Sequence, residues 1–172
     1  MLKVYRCWIC GETYLGEEPP TDCPYCGADK KFLKPGEEYE TPDVELTSKS
    51  RENLEKALEL EVSNATFYYC AYRNADGPRR EGMFKRLAKV ESEHAEAICL
   101  FLKIDEPDIP KDSTGCSDQV MENIKDAHAR ESQAIKHYRQ FAEEAEEPRV
   151  KELFEALSEI ESDHLELHKG EM

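Results

Sequence analysis

From Ser50 to the end of the chain, apolar residues recur at steps of three and four, the spacing of one buried face on a helix. Residues 1–34 lack this period and are rich in cysteine, glycine, proline and aromatic residues. Residues 35–48 contain two prolines and several acidic residues, a composition typical of a linker. The pattern therefore predicts a small non-helical domain over 1–34, a linker over 35–48 and a helical domain over 49–172.

Prolines and glycines divide the helical domain into four helices. The predicted helices run from near Ser50 to before Asp76, from Pro78 to about Leu102, from an N-cap at Ser117 to before Pro148, and from Pro148 to about Gly170. Two short turns and one long connection join them, which is the topology of a ferritin-like four-helix bundle. The predicted fold class is mostly α, with a small four-cysteine domain preceding this bundle.

The two helix pairs repeat one sequence at an offset of 70 residues. Residues 51–102 and 121–172 have 14 identical residues in 52 aligned pairs, which indicates an internal duplication. The identical pairs include Glu61/Glu131, Tyr68/Tyr138, Pro78/Pro148, Phe84/Phe154, Leu87/Leu157, Glu91/Glu161 and His94/His164. Because similar helix pairs can pack about an approximate twofold axis, we expect matching side chains to converge in the core.

The duplicated glutamates and histidines lie within the apolar stripes of their helices, where a charge is costly unless it is paired or bound to a metal. Residues three apart are neighbours on a helix, so each Glu-x-x-His pair can bind one ion. One Glu from each of two helices, with Glu-x-x-His from each of the other two, is the di-iron carboxylate pattern. This donor set favours iron or manganese. The predicted ligands are Glu61, Glu91, His94, Glu131, Glu161 and His164, with Glu91 and Glu161 bridging.

Tyr68 and Tyr138 follow Glu61 and Glu131 by two helical turns. Two interpretations remain open for them, since their hydroxyls could donate to the cluster's carboxylates or their rings could simply fill the core. With both tyrosines included, the predicted catalytic set is the six ligands together with Tyr68 and Tyr138. His128 lies three residues before Glu131, where support of a ligand or packing is favoured over ligation.

Four of the seven cysteines form two C-x-x-C-G motifs, Cys7 with Cys10 and Cys23 with Cys26. Four thiolates can bind a metal tetrahedrally, and this geometry does not distinguish iron from zinc. The remaining cysteines are isolated in sequence and are expected to be small buried or surface side chains. They are Cys70, Cys99 and Cys116.

The chain has a net charge of -15, which argues against binding to nucleic acid or an anionic membrane. No apolar run approaches the ~20 residues of a transmembrane helix, and the first residues lack the features of a secretory signal. These features predict a soluble cytoplasmic protein with bound metal rather than disulfides at its paired cysteines.

The segment YRCWICGETYLGEEPPTDCPYCGADKKF resembles the short rubredoxin module of rubrerythrins, and residues 50–169 resemble their di-iron bundle. The rubredoxin-like part comes first here, the reverse of the commonest order. The resemblance implies an NAD(P)H-linked peroxide reductase of an anaerobic cytoplasm, which receives its electrons through a separate reductase or rubredoxin. It also implies a mononuclear iron at the four cysteines, a di-iron centre, and a homodimer in which each rubredoxin-like domain faces the other subunit's di-iron site.

One position departs from the family's pattern. Typical rubrerythrins have an additional Glu three residues after the ligand on the third helix, and one iron exchanges ligands with it on redox change. This chain has Ala134 at that position and Asn64 at its repeat equivalent. The departure argues against the redox-linked movement of the iron and against a strong preference for peroxide over dioxygen. The cluster is then expected to behave more like a bacterioferritin-type site.

Two other functions remain open from the sequence. The bundle could be a ferroxidase or an iron-binding protein, although a ferroxidase needs no incoming electrons. Alternatively, a zinc-filled cysteine module could dock the bundle onto a partner without catalysis.

Overall fold

The computed structural model describes residues 1–172 and consists of a small sheet followed by four long helices. Strands β1 (Lys3–Cys7), β2 (Thr13–Gly16) and β3 (Leu33–Pro35) form an antiparallel sheet in the order β2-β1-β3. The helices are α1 (Ser48–Arg73), α2 (Pro78–Leu102), α3 (Val120–Glu144) and α4 (Pro148–Lys169). α1 packs on α2 and on α3, and α3 packs on α4. The predicted fold class, four helices preceded by a small four-cysteine domain, is confirmed.

The ends of the helices follow local hydrogen bonding. The Thr47 side chain accepts from the backbone N–H of Ser50, so α1 begins two residues before the predicted position. The prediction of Ser117 as the N-cap of α3 is wrong, because the helix begins at Val120. Ser117 instead exchanges two hydrogen bonds with the buried Asn123 side chain, at 2.9 and 2.8 Å. These bonds hold Ser117 in the connection before the helix.

A disulfide joins Cys70 on α1 to Cys116 in the long connection between α2 and α3, with their Cα atoms 5.8 Å apart. The expectation that both cysteines are isolated is therefore wrong, whereas Cys99 is a free buried thiol as expected. Arg73 also donates to the carbonyls of Lys111 and Ser113 in the same connection. The connection is thus fastened to α1 by one covalent bond and by separate hydrogen bonds.

The four-cysteine domain shares one hydrophobic core with the bundle. The Arg149 guanidinium lies 3.5 Å from the centre of the Trp8 ring and donates to the Trp8 carbonyl at 3.1 Å. Trp8 in turn donates from Nε1 to Glu152 at 2.8 Å. Val44 and Leu46 of the predicted linker also pack against this core. These contacts fix the small domain on its own bundle.

None of the four helices combines the length and the apolar character that a membrane span requires.

Candidate metal centres

The four-cysteine site brings both C-x-x-C-G motifs together. Cys7 Sγ lies 3.7 Å from Cys26 Sγ, and Cys10 Sγ lies 3.8 Å from Cys23 Sγ. A tetrahedron with metal–sulfur bonds of ~2.3 Å has edges of about 3.8 Å, so these spacings fit one central metal ion. All four side chains are buried. The donor set is that of a mononuclear rubredoxin-like iron.

The six predicted ligands of the bundle form a second buried group, called here the carboxylate cluster: Glu61, Glu91, His94, Glu131, Glu161 and His164. Its atoms fall into two overlapping groups, each with one His Nδ1 and three carboxylates whose ligand atoms lie within 4.8 Å of one another. Glu91 and Glu161 belong to both groups, whereas each of the other four residues belongs to only one. This arrangement offers two adjacent ion positions.

The orientation of the two shared carboxylates distinguishes them from the other two. Glu91 places Oε2 3.4 Å from His94 Nδ1 and Oε1 3.2 Å from His164 Nδ1. Glu161 places Oε1 3.3 Å from His94 Nδ1 and Oε2 2.9 Å from His164 Nδ1. Glu61 approaches only His94, at 3.5 Å, and Glu131 approaches His164, at 3.9 Å. Glu91 and Glu161 thus each lie between the two histidines, as the predicted bridging role requires, whereas Glu61 and Glu131 lie at opposite ends.

Several buried atoms of the cluster lack a hydrogen-bond partner within the protein. They are Glu61 Oε2, both carboxylate oxygens of Glu91, His94 Nδ1, Glu131 Oε2 and Glu161 Oε1. Such atoms are costly to bury unless another group satisfies them. Their convergence fits a di-iron carboxylate centre, in which each would bind metal.

The electrostatics of the cluster support the same conclusion. Burial and the neighbouring Glu91 raise the pKa of Glu61 well above its usual range, and burial with Glu161 does so for Glu131. Burial acts on Glu91 in the same direction, but the close approach of the His164 and His94 imidazoles outweighs it and lowers the Glu91 pKa. Four carboxylates in one buried layer need compensating positive charge, which two divalent cations would supply.

The two buried tyrosines donate hydrogen bonds across the bundle rather than along their own helices. Tyr68 of α1 donates to Glu131 of α3, and Tyr138 of α3 donates to Glu61 of α1. Of the two interpretations that the sequence left open, hydrogen bonding to the cluster's carboxylates is the one that the geometry supports. Each hydroxyl satisfies one carboxylate oxygen, and the other oxygen has no partner within the protein.

His168 is a cluster neighbour that the sequence analysis did not select. It is fully buried on α4, and its Nε2 lies 2.9 Å from the Tyr68 hydroxyl. Burial lowers the pKa of His168 to about 4, so the imidazole is neutral at physiological pH. Its sequence signal was its position one turn after His164 on the same apolar stripe. His128, in contrast, is only half-buried and makes no hydrogen bond through its side chain.

One hydrogen bond joins the two metal centres. His94 directs Nδ1 towards the carboxylate cluster, while its Nε2 lies 2.9 Å from the backbone carbonyl oxygen of Cys26. This contact lies within one chain, whereas the family resemblance implied that the four-cysteine site would face another subunit's cluster. The distance between the two motifs in sequence gave no indication of this link.

Comparison with known protein families gives matches to both parts of the chain. Residues 52–172 match the model of the family described as rubrerythrin, and residues 5–34 match that of the rubrerythrin rubredoxin-like domain. The chain belongs to the rubrerythrin family. It is therefore a non-haem di-iron protein with an N-terminal rubredoxin-like domain, which confirms the resemblance stated from the sequence.

Among curated proteins, the chain is similar to "Reverse rubrerythrin-1" of Clostridium acetobutylicum. The two are 33% identical over 116 residues, which cover 59% of this chain and 62% of the relative. The chain thus matches less than two thirds of that rubrerythrin's length. The relative's printed name agrees with the reversed domain order. No solved structure matches the chain.

The position that departs from the usual rubrerythrin pattern is buried beside the cluster. Ala134 is 1% exposed and has no donor atom in its side chain. Asn64, its repeat equivalent, is 3% exposed and accepts a hydrogen bond from Arg130 at 3.3 Å. Neither residue adds a carboxylate to the six side chains of the cluster.

Proposed function

We propose that this rubrerythrin reduces hydrogen peroxide to water at the carboxylate cluster, with electrons relayed through the four-cysteine site. The observation that carries the proposal is the contact of 2.9 Å between the Cys26 carbonyl and His94 Nε2. Cys26 is a predicted ligand of one metal and His94 of the other. A path of covalent bonds and one hydrogen bond would therefore connect the two centres. A ferroxidase or a docking module does not need such a path.

In this proposal, two irons would be held by Glu91 and Glu161 jointly, by Glu61 and Glu131 singly, and by His94 and His164. Bound as ferrous ions, the pair would supply the two electrons and the Lewis acidity that cleavage of the O–O bond requires. The balance is one peroxide, two electrons and two protons giving two waters. The four cysteines would hold an iron that supplies one-electron chemistry, so the two electrons would pass in separate steps.

The residues around the cluster limit what can enter and hold the protons. Five of the six ligands are fully buried, and only His164, at 8% exposure, reaches the surface. A peroxide-sized molecule would therefore enter beside His164. The hydroxyls of Tyr68 and Tyr138 donate to Glu131 and Glu61, so each holds a proton one hydrogen bond away from a carboxylate that would bind iron. Both tyrosines are thus proposed as catalytic residues in proton transfer.

The electron donor is proposed to be a separate NAD(P)H-linked reductase or a rubredoxin, because the sequence has no glycine-rich dinucleotide fingerprint. A homodimer in the cytoplasm, as the family resemblance implies, belongs to the same proposal.

The test adds peroxide to the anaerobically reduced, iron-loaded protein and follows the visible spectrum. We expect the ferric-thiolate colour to return with about two electrons consumed per peroxide. In Cys10→Ser, which removes one thiolate from the four-cysteine site, steady-state turnover with an external reductant should stop while the bundle still binds two irons. Turnover at the wild-type rate in that variant would refute the electron relay. A wild-type protein that stays colourless after reduction and reoxidation would indicate zinc at the four cysteines.

A second candidate, a ferroxidase or dioxygen reductase, is favoured by one observation. Ala134 and Asn64 leave the cluster without the additional carboxylate of typical rubrerythrins. The comparison is the rate of reoxidation by dioxygen against that by peroxide in the same reduced protein. Iron uptake beyond three atoms per chain would favour iron handling over peroxide reduction.

A further inference from the structure

The internal duplication allows the two halves of the carboxylate cluster to be compared residue by residue. Each half has a terminal glutamate, a Glu-x-x-His pair and a tyrosine that donates to the opposite terminal glutamate. The halves differ at several buried positions, such as Asn64 and Ala134, but one difference adds a hydrogen-bond partner to a tyrosine of the cluster. His168 on α4 aligns with Ile98 on α2, and both are fully buried. One half therefore has an imidazole at this position that the other half lacks.

That imidazole contacts only one of the two tyrosines. His168 Nε2 lies 2.9 Å from the Tyr68 hydroxyl, and the two rings are stacked with an angle of 17° between their planes. Nε2 also lies 3.8 Å from Glu131 Oε1, beyond hydrogen-bond distance. Tyr138 has Glu61 as its one hydrogen-bond partner. The Tyr68 hydroxyl thus has two hydrogen-bond partners, whereas the Tyr138 hydroxyl has one.

The number of protons available on Tyr68 and His168 determines which atom donates in each of these hydrogen bonds. A phenol has one proton, and Tyr68 donates it to Glu131, whose metal-bound carboxylate could only accept. The Tyr68 oxygen can then only accept from His168, so Nε2 must bear the imidazole proton. Nδ1 is left bare, and it is buried without a partner. The result is a chain of donors that runs from His168 through Tyr68 to Glu131.

Space filling alone does not account for an imidazole at this position. Isoleucine fills the equivalent position 98 without burying a polar atom. His168 buries Nδ1 with no partner, which carries a desolvation cost that isoleucine avoids. What the imidazole adds is the hydrogen bond to Tyr68.

We propose that His168 is a positioning residue that makes the two metal positions inequivalent, by strengthening the hydrogen bond from Tyr68 to Glu131. A hydroxyl that accepts one hydrogen bond becomes a better donor in the next. The stronger bond would keep the Glu131 carboxylate oriented but draw charge from it, so that it would donate less electron density to a bound metal. Glu131 and His164 would then hold the iron that is the stronger Lewis acid and the more easily reduced of the pair. This inference rests on the ligand assignment of the proposed function, but not on the substrate.

The test uses ⁵⁷Fe-loaded protein and Mössbauer spectroscopy, with no peroxide present. We expect two resolved doublets from the diferric cluster of the wild type. In His168→Ile, which reproduces position 98, the two doublets should merge into one. In His168→Gln, whose side-chain N–H can still donate towards Tyr68, two doublets should remain. Helix content and two irons in the bundle confirm that each variant is intact.

Two results would overturn the inference. One is a single doublet in the wild type, and the other is an unchanged pair of doublets in His168→Ile. If His168→Ile fails to fold, the tautomer of His168 in the wild type still tests the donor chain. In the zinc-loaded protein, ¹⁵N NMR should show the His168 proton on Nε2 and a bare Nδ1, and the opposite tautomer refutes the donor chain. None of these measurements uses peroxide. A protein that fails to reduce peroxide would therefore refute the proposed function without affecting the test of His168.

Discussion

The backbone carbonyl oxygen of Cys26 lies 2.9 Å from Nε2 of His94, and this contact is the shortest polar link between the rubredoxin-like domain and the carboxylate cluster. The residue that follows Cys26 allows this close approach. Gly27 has a φ of +84°, and a Cβ added there would lie 3.2 Å from Cγ2 of Ile160 on α4. The small domain can approach the bundle this closely because Gly27 has no side chain.

The first prediction concerns Gly27. Gly27→Ala should move the Cys26 carbonyl away from His94 and slow reoxidation of the rubredoxin-type iron by peroxide, measured by stopped-flow absorbance. Gly11 is the matched control, since it follows the other C-x-x-C motif with a φ of +80° but faces Tyr39. Each alanine in this conformation should cost about 1–2 kcal/mol of stability. Equal slowing in both variants would indicate strain within the small domain rather than a broken link.

The second prediction concerns the crossed tyrosines. Tyr68→Phe and Tyr138→Phe each remove the donor to a terminal carboxylate and leave one of its buried oxygens unpaired. We expect each change to lower the affinity of the bundle for iron by about 10–100-fold, measured by competition with a chelator. The four-cysteine iron serves as the internal control, because its affinity should not change. Unaltered iron binding in both variants would mean that the rings only fill the core.

The third prediction concerns the disulfide between Cys70 and Cys116. It closes a loop with a sequence separation of 46 residues, so its removal should lower the free energy of unfolding by up to about 4 kcal/mol. Urea unfolding of Cys116→Ser measures this, and a thiol reductant should destabilise the wild type but not the variant. The hydrogen bonds from Arg73 to Lys111 and Ser113 should keep the connection in place. A wild type insensitive to the reductant would show that the bond contributes nothing to stability.

The fourth prediction concerns the free thiol of Cys99. Burial, with Glu106 and Glu96 nearby, raises its pKa from 9.0 to about 11. Because only the thiolate is alkylated, its reactive fraction at pH 8 is about 100-fold below that of an ordinary thiol. Iodoacetamide labelling, followed by mass spectrometry, should accelerate about tenfold per pH unit between pH 8 and pH 10. A rate that levels off near pH 9, as for free cysteine measured in parallel, would contradict the raised pKa.

Most of the cluster could be predicted from the sequence because helical periodicity and the internal duplication are local properties. A Glu placed in an apolar stripe, such as Glu61 or Glu131, is recognisable without any knowledge of its partners. The structure brings all six predicted side chains together, with Glu91 and Glu161 in the shared positions. The partners of the tyrosines could not be predicted, since the choice between Glu61 and Glu131 depends on which helices face each other.

The errors come from contacts that residue type alone does not reveal. Ser117 has the residue type of an N-cap, but its backbone pairs with the Asn123 side chain six residues later, which holds it outside the helix. Cys70 and Cys116 have no shared motif, and only the return path of the connection brings them within bonding distance. Local propensity is a weak guide wherever a long-range contact competes with it.

The sequence by itself determined the two donor sets, the four helices and the family, because each depends on residue types at fixed short spacings. The tertiary structure alone decided which groups meet across those elements: Cys26 with His94, Tyr68 with both Glu131 and His168, and Cys70 with Cys116. These contacts join residues 46 to 100 positions apart in the chain. Their formation depends on how the helices and the small domain pack, which no short sequence pattern records.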